Sequence, residues 1–235
     1  MRSSAHSNVN VHAERTRRQL YGRRKGPRLS AHKASLFETL LPKLALNIAA
    51  RRDPRTYFST SIKDVWLEVG FGAGEHLLAQ ARANPDAGLM GAEPYEAGVA
   101  KLLSRLDKEP AGNIRLHMGD ARDIIEALPD ASLGRVFILF PDPWPKTRHH
   151  KRRFVQMQML DQLARVLKSG GELRFASDDA GYLTWSLERL VAHSAFAWNA
   201  KSATDCTQRP ADWPQTRYEA KALHGPPAYL SFRRH

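Results

Sequence analysis

The run Val65-Trp66-Leu67-Glu68-Val69-Gly70-Phe71-Gly72-Ala73-Gly74-Glu75 constrains the fold of this chain more than any other. Its first five residues, mostly apolar, predict a short buried strand. Glycine then stands at every second position, at Gly70, Gly72 and Gly74. Glu75 opens an apolar-periodic segment through Ala83 that predicts a helix. Strand, glycine turn and helix is how open α/β sheets make a ligand crevice at a strand's carboxyl end. Glycine suits the turn because the chain bends sharply there and a ligand lies against bare backbone. Glu93 follows Gly74 by 19 positions, after a second short strand predicted over Leu89 to Ala92. At that spacing a carboxylate meets ribose hydroxyls in nucleotide-type folds.

The ligand class follows from charge. A dinucleotide turn reads G-x-G-x-x-G and aims a helix N-terminus at a pyrophosphate. Here the spacing is G-x-G-x-G, and Glu68 and Glu75 flank it. Those carboxylates repel a pyrophosphate and suit a ligand with cationic groups, such as S-adenosylmethionine with its sulfonium and amine. A dinucleotide and a tight turn with no ligand both remain open on the motif alone.

Strand and helix patterns alternate along the rest of the chain. Helices are expected over Glu96 to Leu106, Asp123 to Leu128, Arg153 to Leu167 and Tyr182 to His193. Strands are expected over Ile114 to Met118, Arg135 to Phe140, Glu172 to Ala176 and Ala228 to Phe232. Ser30 is placed to cap a helix near Ala31, which Pro42 should break or kink. Such alternation predicts a mostly parallel sheet with helices on both faces. Glu93, Asp120, Asp142 and Asp178 each follow a strand, so all four would share one sheet edge. An Asp after a strand is also a common helix cap or turn residue. Four at corresponding ends favour a site.

The charge is +12 overall and uneven. Residues 1–60 hold 13 Lys and Arg against 3 Asp and Glu, whereas residues 61–140 hold 8 against 12. Residues 1–30 read as a basic arm, ordered at least in part on a polyanion, and residues 31–235 as one domain. A solubilising arm is the plainer alternative. The single cysteine, Cys206, excludes an internal disulfide and a cysteine-rich zinc site. The histidines show no metal-ligand spacing, so no metal is expected. No apolar run approaches the roughly 20 residues of a membrane span, and no secretory signal is visible. A cytoplasmic protein, with no membrane partner, is the expectation.

The segment Phe140 to Arg153 reads FPDPWPKTRHHKRR. Pro141, Pro143 and Pro145 stiffen it and hold Asp142 and Trp144 in fixed directions. Trp144 is suited to stack on a base, and Lys146, Arg148, Lys151, Arg152 and Arg153 to meet phosphates. A packed loop aromatic and a solvated helix start are the bland alternatives.

With these segments in place the chain resembles the bacterial tRNA (guanine-N7-)-methyltransferase family. The resemblance is carried by LEVGFGAGEHL, GAEPY, GDARD, FPDPWPKTRHHKRRF, ASDDAGY and TRYEAKALHG, which span residues 66–225. The basic loop and the distant Thr-Arg-Tyr-Glu are more specific than the glycine turn. The resemblance implies a Rossmann-like class I methyltransferase fold, with a seven-stranded, mostly parallel sheet whose last strand is antiparallel. It implies S-adenosylmethionine as methyl donor and N7 of guanine 46 in the tRNA variable loop as acceptor. By the resemblance, Glu68, Glu93, Asp120 and Asp142 match cofactor residues beside Gly70, Gly72 and Gly74, and Asp142 also the active-site acid. Lys146, Asp178, Thr216, Arg217, Tyr218 and Glu219 match substrate contacts. The partner would be tRNA and not DNA, and the enzyme a monomer or homodimer.

Two other functions stay in view. One is a methyltransferase acting on another base position; enzymes that act on base amino groups commonly carry Asn/Asp-Pro-Pro-aromatic after the fourth strand, unlike Pro-Asp-Pro-Trp here. The other is a non-catalytic RNA-binding protein with a relic pocket, against which the intact carboxylates argue.

Overall fold

The computed structural model describes residues 20–22, 24–49, 51–221 and 223–235, apart from the side chains of Tyr218 and Lys221. The reading of the arm falls outside the described residues for positions 1–19 and 23. The strands are β1 (Asp64–Val69), β2 (Ala87–Ala92), β3 (Ile114–His117), β4 (Leu133–Leu139), β5 (Leu167–Ser177), β6 (Phe196–Trp198) and β7 (Ala228–Arg234). They form one sheet in the order β3-β2-β1-β4-β5-β7-β6. β1 pairs parallel with β2 and β4, β2 with β3, and β4 with β5. The last strand, β7, runs antiparallel to both neighbours, as expected. The chain order reverses at β1, between β2 and β4, which is where such sheets open a crevice.

Helices cover both faces. On one, α3 (Glu75–Ala83) and α4 (Glu96–Lys108) bury Leu77, Leu78, Val99, Leu102, Leu103 and Leu106, with Leu36 of α1 (Ala31–Thr39) joining them. On the other, α5 (Ala121–Ala127), α6 (Met157–Val166) and α7 (Ala180–Ala192) pack Ile124, Leu160, Leu163 and Leu190 against the sheet. Pro42 lies in the first turn of a separate short helix, α2 (Leu41–Leu44), so the chain does break there.

One boundary differs from expectation for a visible reason. The helix expected from Arg153 begins at Met157, and Thr147–Arg152 forms a 3₁₀ helix before it. The N–H groups of Phe154 and Val155 donate instead to the buried hydroxyl of Tyr182, at 2.9 and 3.2 Å. Arg153 turns inward, 4% exposed, and donates to the carbonyls of Pro143 and Gly181 at 2.8 and 3.3 Å. The three-residue β6 carried no readable pattern. Two more short helices, α8 (Thr204–Thr207) and α9 (Arg217–Lys221), lie between β6 and β7.

Gly98 in α4 fixes the glycine turn in place. A Cβ there would lie 2.4 Å from the Gly72 carbonyl oxygen, which is backbone and has no rotamer to yield. Helix propensity alone favours Gly98→Ala by about 1 kcal/mol. The overpacking penalty of about 1–3 kcal/mol should outweigh that. Thermal unfolding is therefore expected to show a lower Tm for Gly98→Ala; a Tm at or above that of the parent protein would refute the contact.

Candidate active site

A cavity of about 620 Å³ opens at the carboxyl edge of β1, β2 and β4. Its walls include Glu68, the Gly70–Ala73 turn, Glu93, Asp120, Asp142 and Thr216. Gly70, Gly72 and Gly74 all have positive φ, at 71°, 55° and 72°. Other residues rarely hold those angles, so the turn is written into the residue type. Gly74 also closes on Leu102, where an added Cβ would lie 2.6 Å from a side-chain methyl.

Glu93 is buried at the end of β2, and its two oxygens accept the N–H groups of Gly72 and Tyr95 at 2.7 and 2.8 Å. Burial raises its carboxyl above the ordinary value, and the nearby Asp142 and Glu68 charges add to that. The two backbone bonds pull the other way without overcoming it. Glu68 is buried on β1, and one oxygen lies 2.8 Å from Nδ1 of His76. Asp120 is both a helix cap and a residue of the cavity wall. One oxygen caps α5 through the Arg122 N–H at 3.0 Å, and the other is buried, unpartnered and on a residue that lines the cavity.

Asp142 stands on the loop after β4, with one side open to solvent. The surrounding cavity wall still raises its carboxyl above the ordinary value. Phe140 and Trp144 bracket it with φ of 49° and 47°. Positive φ at a bulky residue is strained, at about 1–3 kcal/mol each, and such strain concentrates at functional loops. Arg153, drawn inward onto the Pro143 carbonyl, is one of the braces that hold this shape.

The expected basic run thus divides by role. Lys146, Arg148 and Lys151 are exposed, and Arg153 is a buried brace. Arg152 lies over the rings of Tyr21 and Trp144, at 4.3 and 4.9 Å. Trp144 meets Tyr21 and His149 edge-on at 6.2 and 5.9 Å, so part of its surface is already covered. The end of the arm completes the cavity with Leu20, Tyr21 and Gly22. Gly22 passes so close to Asp142 that a Cβ would lie 3.2 Å from the carboxylate. Glu96 at the start of α4 donates its N–H to the Arg24 carbonyl at 3.0 Å.

The remaining expected residues fall on two levels. Thr216 and Glu219 form a capping box at α9: Glu219 N–H meets the Thr216 hydroxyl at 3.2 Å, and Thr216 N–H meets the Glu219 carboxylate at 3.4 Å. Glu219 is buried and also accepts from the Tyr229 hydroxyl at 2.5 Å and from Arg209 at 3.3 Å. It therefore anchors the segment, while Thr216 reaches the cavity. Arg217 keeps an exposed side chain, and its N–H points to Glu75 at 3.3 Å. Tyr218 belongs to α9, its side chain outside the described residues. Asp178 lies outside the cavity wall and accepts the His224 N–H at 3.2 Å. His76, Gly98, Tyr21 and Gly22 are site elements that the motifs did not announce. Glu68 and His76 meet only because the turn folds back on the strand.

Among the described residues, no group of three or more His, Cys, Asp or Glu is arranged to hold a metal ion. No described helix is long and apolar enough to cross a membrane.

The family description "Putative methyltransferase" matches residues 63–228. A tRNA (guanine-N(7)-)-methyltransferase from Rhodospirillum rubrum is 52% identical over 223 residues, 92% of this chain and 88% of the relative. One from Nitrobacter hamburgensis is 46% identical over 237 residues, 99% of this chain and 93% of the relative. Among solved structures, the 16S rRNA methyltransferase KamB superposes with a TM-score of 0.53 at 18% identity, over 76% of this chain and 95% of that one. The [4+2]-cyclase SpnF gives 0.52 at 17% identity, over 77% and 78%. The last pair shows only a shared fold, which hosts more than one chemistry. The near relatives decide further: the chain belongs to the tRNA (guanine-N(7)-)-methyltransferase family.

Proposed function

We propose that the chain methylates N7 of guanine 46 in the variable loop of tRNA, with S-adenosylmethionine as donor. The observation that carries this reading is the convergence of Glu68, Glu93, Asp120 and Asp142 on one cavity over the glycine turn. The cavity suits the donor. Asp120 brings a buried, unpartnered oxygen that fits an amino group such as that of adenine. Glu93, fixed by two N–H groups, retains lone pairs for ribose hydroxyls. Glu68 brings negative charge for a methionine amine.

The donor supplies, when bound, a methyl carbon on a cationic sulfur, which leaves as a neutral thioether as the N7 lone pair takes the methyl. Guanine N7 carries no proton, so no residue is needed as a base at the attacking atom. The protein's work is alignment and electrostatics. Asp142 holds the purine through its ring N–H or amino group and opposes the positive charge that grows on the ring. That charge also draws the Asp142 carboxyl back toward its ionised form. Exposed Lys146, Arg148 and Lys151 sit beside Asp142 on the same loop, where they meet the tRNA backbone. Thr216 and Arg217 approach the cavity from α9, across from that loop.

Asp142→Ala is expected to lower kcat by about 100-fold or more, the scale of a lost electrostatic partner. Donor affinity by calorimetry should change little, and turnover near that of the parent would remove Asp142 from this role. Glu93 makes a second test through pH. Its raised carboxyl takes a proton at a pH above the ordinary 4.5, and the protonated form holds ribose less well. Donor Kd should therefore weaken on acidification before ordinary carboxylates titrate, and Glu93→Gln should flatten that limb. The arm supplies a third test. Replacing Arg23, Arg24 and Lys25 with Gln should weaken tRNA binding and lower its salt slope by about one per lost phosphate contact. An unchanged slope would leave the arm without that job.

A further inference from the structure

One titratable group in the cavity wall has no part in the chemistry above. His76 is 2% exposed, in the first turn of α3, and its Nδ1 lies 2.8 Å from the Glu68 carboxylate. Among the described residues, His76 is the one hydrogen-bond partner of that carboxylate. Its Nε2 is buried with no partner. The ring is enclosed edge-on by Phe137 at 4.6 Å and Trp213 at 5.9 Å. Trp213 packs in turn on Tyr229 at 5.5 Å, and the Tyr229 hydroxyl holds Glu219, the anchor of the segment that carries Thr216.

A histidine used for packing alone gains nothing from its nitrogens. Leaving Nε2 unpartnered costs stability that an apolar ring of the same shape would not forfeit. The compensating gain lies at Nδ1. Glu68 is 3% exposed, and a buried carboxylate without a donor rotates or takes up a proton. With Nδ1–H donated to one oxygen, the Glu68 carboxylate is fixed in direction and its other oxygen is left for the cavity. A proton on Nε2 would be a buried, unpaired N–H, so the geometry places the hydrogen-bonding N–H at Nδ1.

We infer that His76 is a positioning residue for the methyl donor. It holds the Glu68 carboxylate aimed at the donor's cationic amine, and Trp213 closes over it from the segment that leads to Thr216. The residue acts through Glu68 and touches no reacting atom. This rests on the reading of Glu68 as a donor contact, so the test separates the two.

Three variants, His76→Leu, His76→Asn and Glu68→Gln, would be compared by calorimetric donor Kd and by steady-state KM and kcat. His76→Leu is expected to weaken donor binding about tenfold, the scale of a hydrogen bond to a charged group. The tRNA KM should stay near that of the parent. His76→Asn, whose amide nitrogen falls near the position of Nδ1, should restore most of the loss. Weakened donor binding in Glu68→Gln with normal binding in His76→Leu would overturn the inference and leave the reading of Glu68 standing. Normal binding in Glu68→Gln would overturn both. A fall in the affinities for donor and tRNA alike in His76→Leu, not rescued by His76→Asn, would mark a structural role and also overturn it. Long-range ¹H–¹⁵N correlation on the unaltered protein gives a readout that survives misfolded variants. It should show His76 protonated at Nδ1 and bare at Nε2; the opposite tautomer would refute the inference.

Discussion

The bond from Gly72 N–H to the Glu93 carboxylate is the constraint from which the site is built. It joins the turn after β1 to the end of β2, two of the three strands at whose edge the cavity opens. Gly98 presses on the same turn from behind, through the Gly72 carbonyl. The turn is thus held by a hydrogen bond on one side and by backbone contact on the other. A carboxylate at this point accepts two backbone N–H groups and still faces the cavity. Its desolvation is the cost of that placement, and the raised carboxyl records it.

The loop after β4 is held by a different device. Phe140 and Trp144 adopt left-handed backbone conformations that bulky residues avoid, and tertiary contacts must sustain them. Arg153 grips the Pro143 carbonyl, and the Tyr182 hydroxyl takes the two N–H groups that follow. Burial pushes the Tyr182 phenol up to about 12, so it remains a neutral hydroxyl at physiological pH. Asp142 is therefore presented by a strained loop on a rigid support, which suits a group that must oppose a developing charge at a fixed distance.

Much of this was legible in residue type. Glycine at alternate positions encodes three positive φ values, and the sequence reading of the turn needs nothing more. Carboxylates after parallel strands share an edge, so Glu93, Asp120, Asp142 and Asp178 could be grouped before any coordinates. Three of them line the cavity, Asp178 turns to the His224 N–H outside it, and Glu68, inside β1, was picked out by the family resemblance. The sequence could not show that Arg153 faces inward, because a basic run at a helix start looks solvated whatever its partners. Nor could it show that Tyr182, nearly thirty residues on, takes Phe154 and Val155 out of the helix pattern. The pair of Glu68 and His76 is hidden for a related reason: one lies on β1 and the other on α3, and no single periodicity runs across the glycine turn between them. Glu219 is a subtler case. Its spacing from Thr216 reads as a capping box, and its bonds to Tyr229 and Arg209 show that the motif also builds the scaffold.

The same fold carries a cyclase as well as methyltransferases, so the sheet does not choose the reaction. In this chain, charge is divided between the cavity and the loop after β4. The cavity floor is acidic and suits a cationic donor; the rim beyond Asp142 is basic and suits a polyanion. Mixed together, the two sets would neutralise one another as ion pairs. Here Arg153 is bound to carbonyls and Arg152 lies over aromatic rings, so neither pairs with a cavity carboxylate; Arg122 in the wall does pair with Asp120, at 3.4 Å. The strained loop is the boundary. It sets Asp142 on the cavity wall and Lys146, Arg148 and Lys151 in solvent, the arrangement that the proposed meeting of donor and polynucleotide at one carboxylate requires.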